Sequence, residues 1–100
     1  MLHTVNKSPF SSRSLETCLG LAAPDSDILL MEDAVYGAIA GTGSAVDVEQ
    51  AMSFCKVYVL EADLKARGIE LDKLIPGIKR VGYDGFVELA ANNSKVQSWF

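Results

Sequence analysis

Two cysteines, one histidine and an acidic pair are the residues of this 100-residue chain whose types could do chemistry. Cys18 and Cys55 lie far apart and form no CxxC pair, so in a reducing compartment they read as thiols rather than a disulfide. A thiol that carries sulfur must ionise and must be reached by its partner. Cys18 falls in the first half of a predicted helix, where the dipole favours a thiolate modestly. It also shares helical spacing with Leu15 and Leu19, and a cysteine on an apolar stripe is ordinarily inert packing. Cys55 opens a strand beside Phe54 and reads as core. His3 could assist a thiol near neutral pH, although a lone histidine in a strand is more often a structural group with its hydrogen bonds met. Glu32 and Asp33 end an apolar run. An acidic pair at a strand end suits Mg²⁺-dependent phosphoacceptor chemistry, because hard cations want clustered oxygens. Neither a third strand-end aspartate nor a partner lysine is placed to complete it, so capping and solvation are the expectation.

Other patterns exclude chemistry. Gly41-Thr42-Gly43 follows a helix rather than a strand, and Val46 stands where a dinucleotide loop needs its third glycine. Ser8 and Ser11 have no general base nearby in sequence, so a hydrolase has no support.

These residues have to be positioned by the elements around them, and Asp27-Ile28-Leu29-Leu30-Met31-Glu32-Asp33 is the central one. Its apolar residues do not alternate with polar ones, which predicts a strand covered on both faces of a parallel sheet. Asp33 is then placed to cap a helix over 34–40 that Gly41 ends. Leu2 to Val5 reads as a first strand, followed by a loop over 6–12. Ser12 or Ser14 can cap a first helix running to about Ala22, with Leu15, Cys18, Leu19 and Ala22 inward. Val46 to Phe54 is compatible with a short helix, and Cys55 to Leu60 is β-branched and aromatic, a third strand. Glu61 to Arg67 forms the next helix, with Glu61–Lys65 and Asp63–Arg67 as i,i+4 pairs and Gly68 as its left-handed terminator. Ile69 to Ile75 has room for one irregular turn. Ile78 to Tyr83 is a weaker strand whose Lys79 and Arg80 suit a sheet edge. Asp84 is expected to cap a last helix over 85–91 with Phe86, Leu89 and Ala90 inward. The tail, Lys95 to Phe100, fits a strand or a helical turn equally well. Strands alternating with helices predict an α/β fold: a single domain over 1–100, three-layer α/β/α, with a mainly parallel sheet of four or five strands.

The totals bound the partners. Net charge is −4, and the only adjacent basic pair is Lys79-Arg80, so direct nucleic-acid binding is not expected. Apolar runs fall far short of the ~20 residues that cross a bilayer, and the first residues lack a signal-peptide pattern. A cytoplasmic protein without membrane contact is the expectation. Hydrophobic residues make up 49% of the chain, which predicts that another subunit covers part of the surface. Phe10, Tyr36 and Trp99-Phe100 lie at rims and termini, where aromatic residues anchor interfaces; core closure by the tail is the competing reading.

Several segments together resemble the DsrH/TusB family of sulfur-relay subunits. They are Leu2-His3-Thr4-Val5-Asn6-Lys7-Ser8-Pro9-Phe10, Leu29-Leu30-Met31-Glu32-Asp33-Ala34-Val35-Tyr36, Val57-Tyr58-Val59-Leu60, Asp63-Leu64-Lys65-Ala66-Arg67-Gly68 and Val96-Gln97-Ser98-Trp99. The resemblance runs from end to end. It implies a heterohexamer with two copies each of three related subunits, in which DsrE/TusD-like and DsrF/TusC-like chains are the partners. Such assemblies pass persulfide sulfur. In the Tus branch it moves from a TusA-like donor to a TusE-like acceptor and on to the 2-thiouridine of tRNA; in the Dsr branch of sulfur oxidisers a DsrC-like protein takes it. The principal sulfur-carrying cysteine belongs to the DsrE/TusD-like partner. Cys18 stands where DsrH-type subunits carry a second cysteine, which points towards the Dsr branch and makes Cys18 the candidate auxiliary persulfide thiol. No metal or organic cofactor is implied. The alternatives are a scaffold subunit whose cysteines never carry sulfur and, less well supported, a stand-alone flavodoxin-like phosphoacceptor or nucleotide binder.

Overall fold

Ile28, Leu29 and Leu30 are 0% exposed in the computed structural model, which describes residues 1–100. They form β2 (Asp27–Leu30), the middle strand of a five-stranded sheet. Its neighbours are β1 (Leu2–Val5) and β3 (Lys56–Leu60), and the edges are β4 (Lys79–Val81) and β5 (Val96–Trp99). The order is β4-β3-β2-β1-β5 and every pairing is parallel. The tail is thus the fifth strand, paired to β1 with Leu2 opposite Val96 and Val5 opposite Trp99.

Connection handedness sorts the helices into layers. Right-handed crossovers from β1 to β4 step in one direction, so their helices share one face. These are α1 (Ser14–Leu21), α2 (Gly43–Ala51) and α3 (Glu61–Ala66). The return from β4 to β5 crosses the whole sheet and puts α4 (Tyr83–Asn92) on the other face. Alternation along each strand divides the core accordingly. Val5, Ile28, Leu30, Val57 and Val59 pack with Leu15, Cys18, Val48 and Leu64. Leu2, Leu29 and Leu60 pack against Phe86, Leu89 and Ala90 of α4, as the apolar spacing of that helix predicts. The result is the expected three-layer α/β/α fold.

Four local expectations are corrected. The segment after β2 is a 3-10 helix over Glu32–Ala38, not an α-helix over 34–40. It is pinned at both ends: Glu32 N–H donates to Asp63 Oδ2 at 2.7 Å, and Ala38 to Ala40 bond to Lys73 and Ile75. The tighter helix climbs about 2.0 Å per residue and spans that interval with fewer residues. Asp33 does not cap it, because Met31 holds the cap position and the Asp33 carboxylate turns to Arg67. Asp84 does not cap α4 either; Gly82 stands there and Asp84 lies inside the first turn. Helix α2 also begins earlier than expected, at Gly43, so Ala45, Val48 and Ala51 form its buried stripe. The terminator of α3 is as expected, Gly68 at φ +65°, a conformation that costs glycine nothing.

Candidate functional site

Cys18 lies in the middle of α1 on the stripe that packs against the sheet, and it is 0% exposed. Burial pushes its thiol up to about 12, and the neighbouring Cys55 adds to the effect. At neutral pH it is a covered, protonated thiol. Cys55 sits just before β3 and is also buried; its Sγ–H donates to Ala23 O at 3.4 Å. Burial raises its pKa as well; a hydrogen bond from the Ser26 backbone opposes this, while Asp25 and Asp27 reinforce it. The fold brings the two thiols into electrostatic range of each other without joining them.

In open α/β sheets functional groups gather beyond the carboxyl ends of the strands, where the connections reverse direction. That point here lies between β1 and β5. The ring of His3 accepts a hydrogen bond at Nδ1 from Trp99 Nε1–H at 3.0 Å. The bond fixes the neutral tautomer with its proton on Nε2. Burial lowers the pKa of His3, and the positive amino terminus lowers it further. The imidazole is therefore a structural acceptor that locks β5 to β1. Asn6 follows β1 directly, and its Oδ1 is buried without a partner. Ser8 is used in the turn that follows: its Oγ accepts from Phe10 N–H at 3.2 Å, and its carbonyl accepts from Ser11 and Ser12. The aromatic residues differ in burial. Trp99 packs against the main core, Tyr36 is half-buried, and Phe10 and Phe100 stand 69% and 81% exposed.

Glu32 and Asp33 do not converge into an oxygen pocket. Asp33 Oδ1 accepts from Arg67 Nε at 2.9 Å, and Arg67 Nη1 also reaches Asp63 Oδ1 at 3.5 Å. Glu32 adopts φ +50°, a left-handed conformation rare for a non-glycine residue, held by the bond to Asp63. A guanidinium shared between carboxylates ties the start of the 3-10 helix to α3. The Asp63–Arg67 pair was legible in the i,i+4 spacing, but Asp33–Arg67 spans 34 residues and left no local signal.

Comparison with known proteins agrees with this fold and assigns the family. The family model described as DsrH like protein matches residues 7–96. Protein TusB of Erwinia tasmaniensis is 37% identical over 99 residues, covering 99% of this chain and 100% of the relative. Protein TusB of Buchnera aphidicola subsp. Baizongia pistaciae is 33% identical over 100 residues with the same coverage. Among solved structures, the ychN protein from E. coli superimposes with a TM-score of 0.80 at 22% identity, covering 98% of this chain and 97% of the other. A protein of unknown function from Methanobacterium thermoautotrophicum gives 0.70 at 14% identity, covering 97% and 95%. At those identities the two structures speak for the fold alone. The family match across residues 7–96, with TusB relatives aligned over nearly the whole of both chains, makes this chain a member of the DsrH/TusB family.

Proposed function

We propose that the chain is the TusB-type subunit of a cytoplasmic sulfur-relay complex, docked with DsrE/TusD-like and DsrF/TusC-like subunits. Its relatives, named TusB and matched along their full length, favour delivery to the 2-thiouridine of tRNA through TusA-like and TusE-like carriers. The position of Cys18 alone pointed instead to the Dsr branch and a DsrC-like acceptor.

Within that complex the chain acts as a structural and docking member. The observation that carries this role is the cover over both thiols. In persulfide relay a thiolate attacks the outer sulfur of a donor persulfide, a new S–S bond forms, and the donor leaves as a thiolate. A protonated thiol beneath a helix does neither half of that step. The attacking cysteine then belongs on a partner, and this chain shapes the site around it. The reading in which Cys18 is an auxiliary persulfide thiol requires α1 to expose it on assembly. Co-expression of this chain with DsrE/TusD-like and DsrF/TusC-like subunits, followed by intact-complex mass measurement, tests the assignment. A heterohexamer that restores 2-thiouridine to a strain lacking this subunit is the expected outcome. Failure to assemble, or restoration without this chain, would remove the proposal.

A further inference from the structure

The two edges of the sheet are finished differently. β4 carries Lys79 and Arg80, both exposed, which discourage pairing with another strand. β5 has no charged residue and no proline, and its register with β1 runs without a bulge. The carbonyls of Lys95 and Trp99 accept from Leu2 N–H at 3.0 Å and Asn6 N–H at 3.4 Å. Strand alternation then turns the N–H and C=O groups of Val96 and Ser98 towards the open edge. The outward carbonyl of Ser98 is met only by a side-chain stand-in, Gln97 Nε2 at 3.3 Å. Beside this edge Val96 is 52% exposed.

We infer that the β5 edge pairs with β5 of a second copy of this chain, antiparallel about a twofold axis at Gln97. In that register Val96 lies opposite Ser98 of the second copy, and each such pair exchanges both of its outward hydrogen bonds. Gln97 meets its own counterpart at the axis. The contact is self-complementary, as a twofold interface must be. An uncharged strand also meets itself without like-charge repulsion, whereas β4 against β4 would oppose Lys79 and Arg80. The inference stands on the edge geometry and not on the sulfur-relay reading, so its failure leaves that reading intact.

Light scattering and amide exchange on the purified full chain test it. The expected mass is twice the 10.8 kDa of one chain, with the Val96 and Ser98 amides protected from exchange. The exposed side chain of Gln97 bonds only to Ser98 O, so substitution there spares the fold. Gln97→Lys alone and Gln97→Glu alone should each weaken the dimer about two- to fivefold, by setting like charges opposite each other. Mixing the two variants should restore both the mass and the amide protection. A chain that stays at single mass, a dimer indifferent to Gln97→Lys, no rescue on mixing, or a strand from a different protein as the only occupant would each overturn the inference.

Discussion

At the scale of single residues the molecule treats its reactive groups as packing. Cys18 and Cys55 should resist an alkylating reagent in the native chain and react together once it is unfolded, as a peptide mass map would record. The folded pKa of Cys18, about 12 against an ordinary 9.0, is raised. Its contribution to stability is therefore complete below pH 9.0 and is lost as pH rises towards 12, where the unfolded thiol ionises and the folded one does not. Denaturant midpoints measured upward from pH 8 should fall in the wild type and stay flatter in Cys18→Ala. His3 has the opposite sign. Its folded pKa is lowered from 6.5, so its contribution is present above pH 6.5 and is lost as pH falls through the folded value. The Trp99 bond is lost with it, because a protonated Nδ1 no longer accepts. His3→Gln should flatten that acid slope. The stripe position of Cys18 was legible in its spacing from Leu15 and Leu19, which is a local property. The His3–Trp99 bond was not, because those residues stand 96 apart and meet only through the return of β5 to β1.

Elements were legible where their signals are local and long. The unbroken run at Ile28 to Met31 announced a covered strand, and Gly68 announced the end of α3. The 3-10 helix was missed because its form is set by anchors distant in sequence, Asp63 and the bridge from Ile39 to Leu74. Its fit against α1 turns on Gly37, where an added Cβ would lie 2.6 Å from Leu15 Cδ2. Leu15 is 2% exposed and has little room to yield. Gly37→Ala should cost about 1–3 kcal/mol of stability by overpacking, read from a urea transition. The tail divides by residue. Trp99→Ala should lower the stability of the lone chain by about 1–3 kcal/mol, through lost packing and an unpaired His3 acceptor. Phe100→Ala should leave that stability within about 0.5 kcal/mol, because the side chain is exposed, and should weaken assembly instead.

At the scale of the whole molecule, chain order alone distributes the layers. Steps outward from β1 to β4 load one face with helices, and one long return leaves the other face to α4. The α/β class and the parallel sheet followed from alternating patterns in the sequence. The position of the fifth strand did not, because the tail is too short to carry a period of its own. Family membership supports the sulfur-relay role, and the buried thiols are the ground for the part proposed for this chain: to hold and shape a site whose attacking sulfur sits on another subunit. Loading the assembled complex with a persulfide donor and mapping added sulfur by peptide mass tests that claim most directly. The expected outcome is a sulfur adduct on a partner cysteine and none on the peptide carrying Cys18, with transfer undiminished in Cys18→Ala. An adduct on Cys18 that is lost, together with transfer, in Cys18→Ala would contradict it.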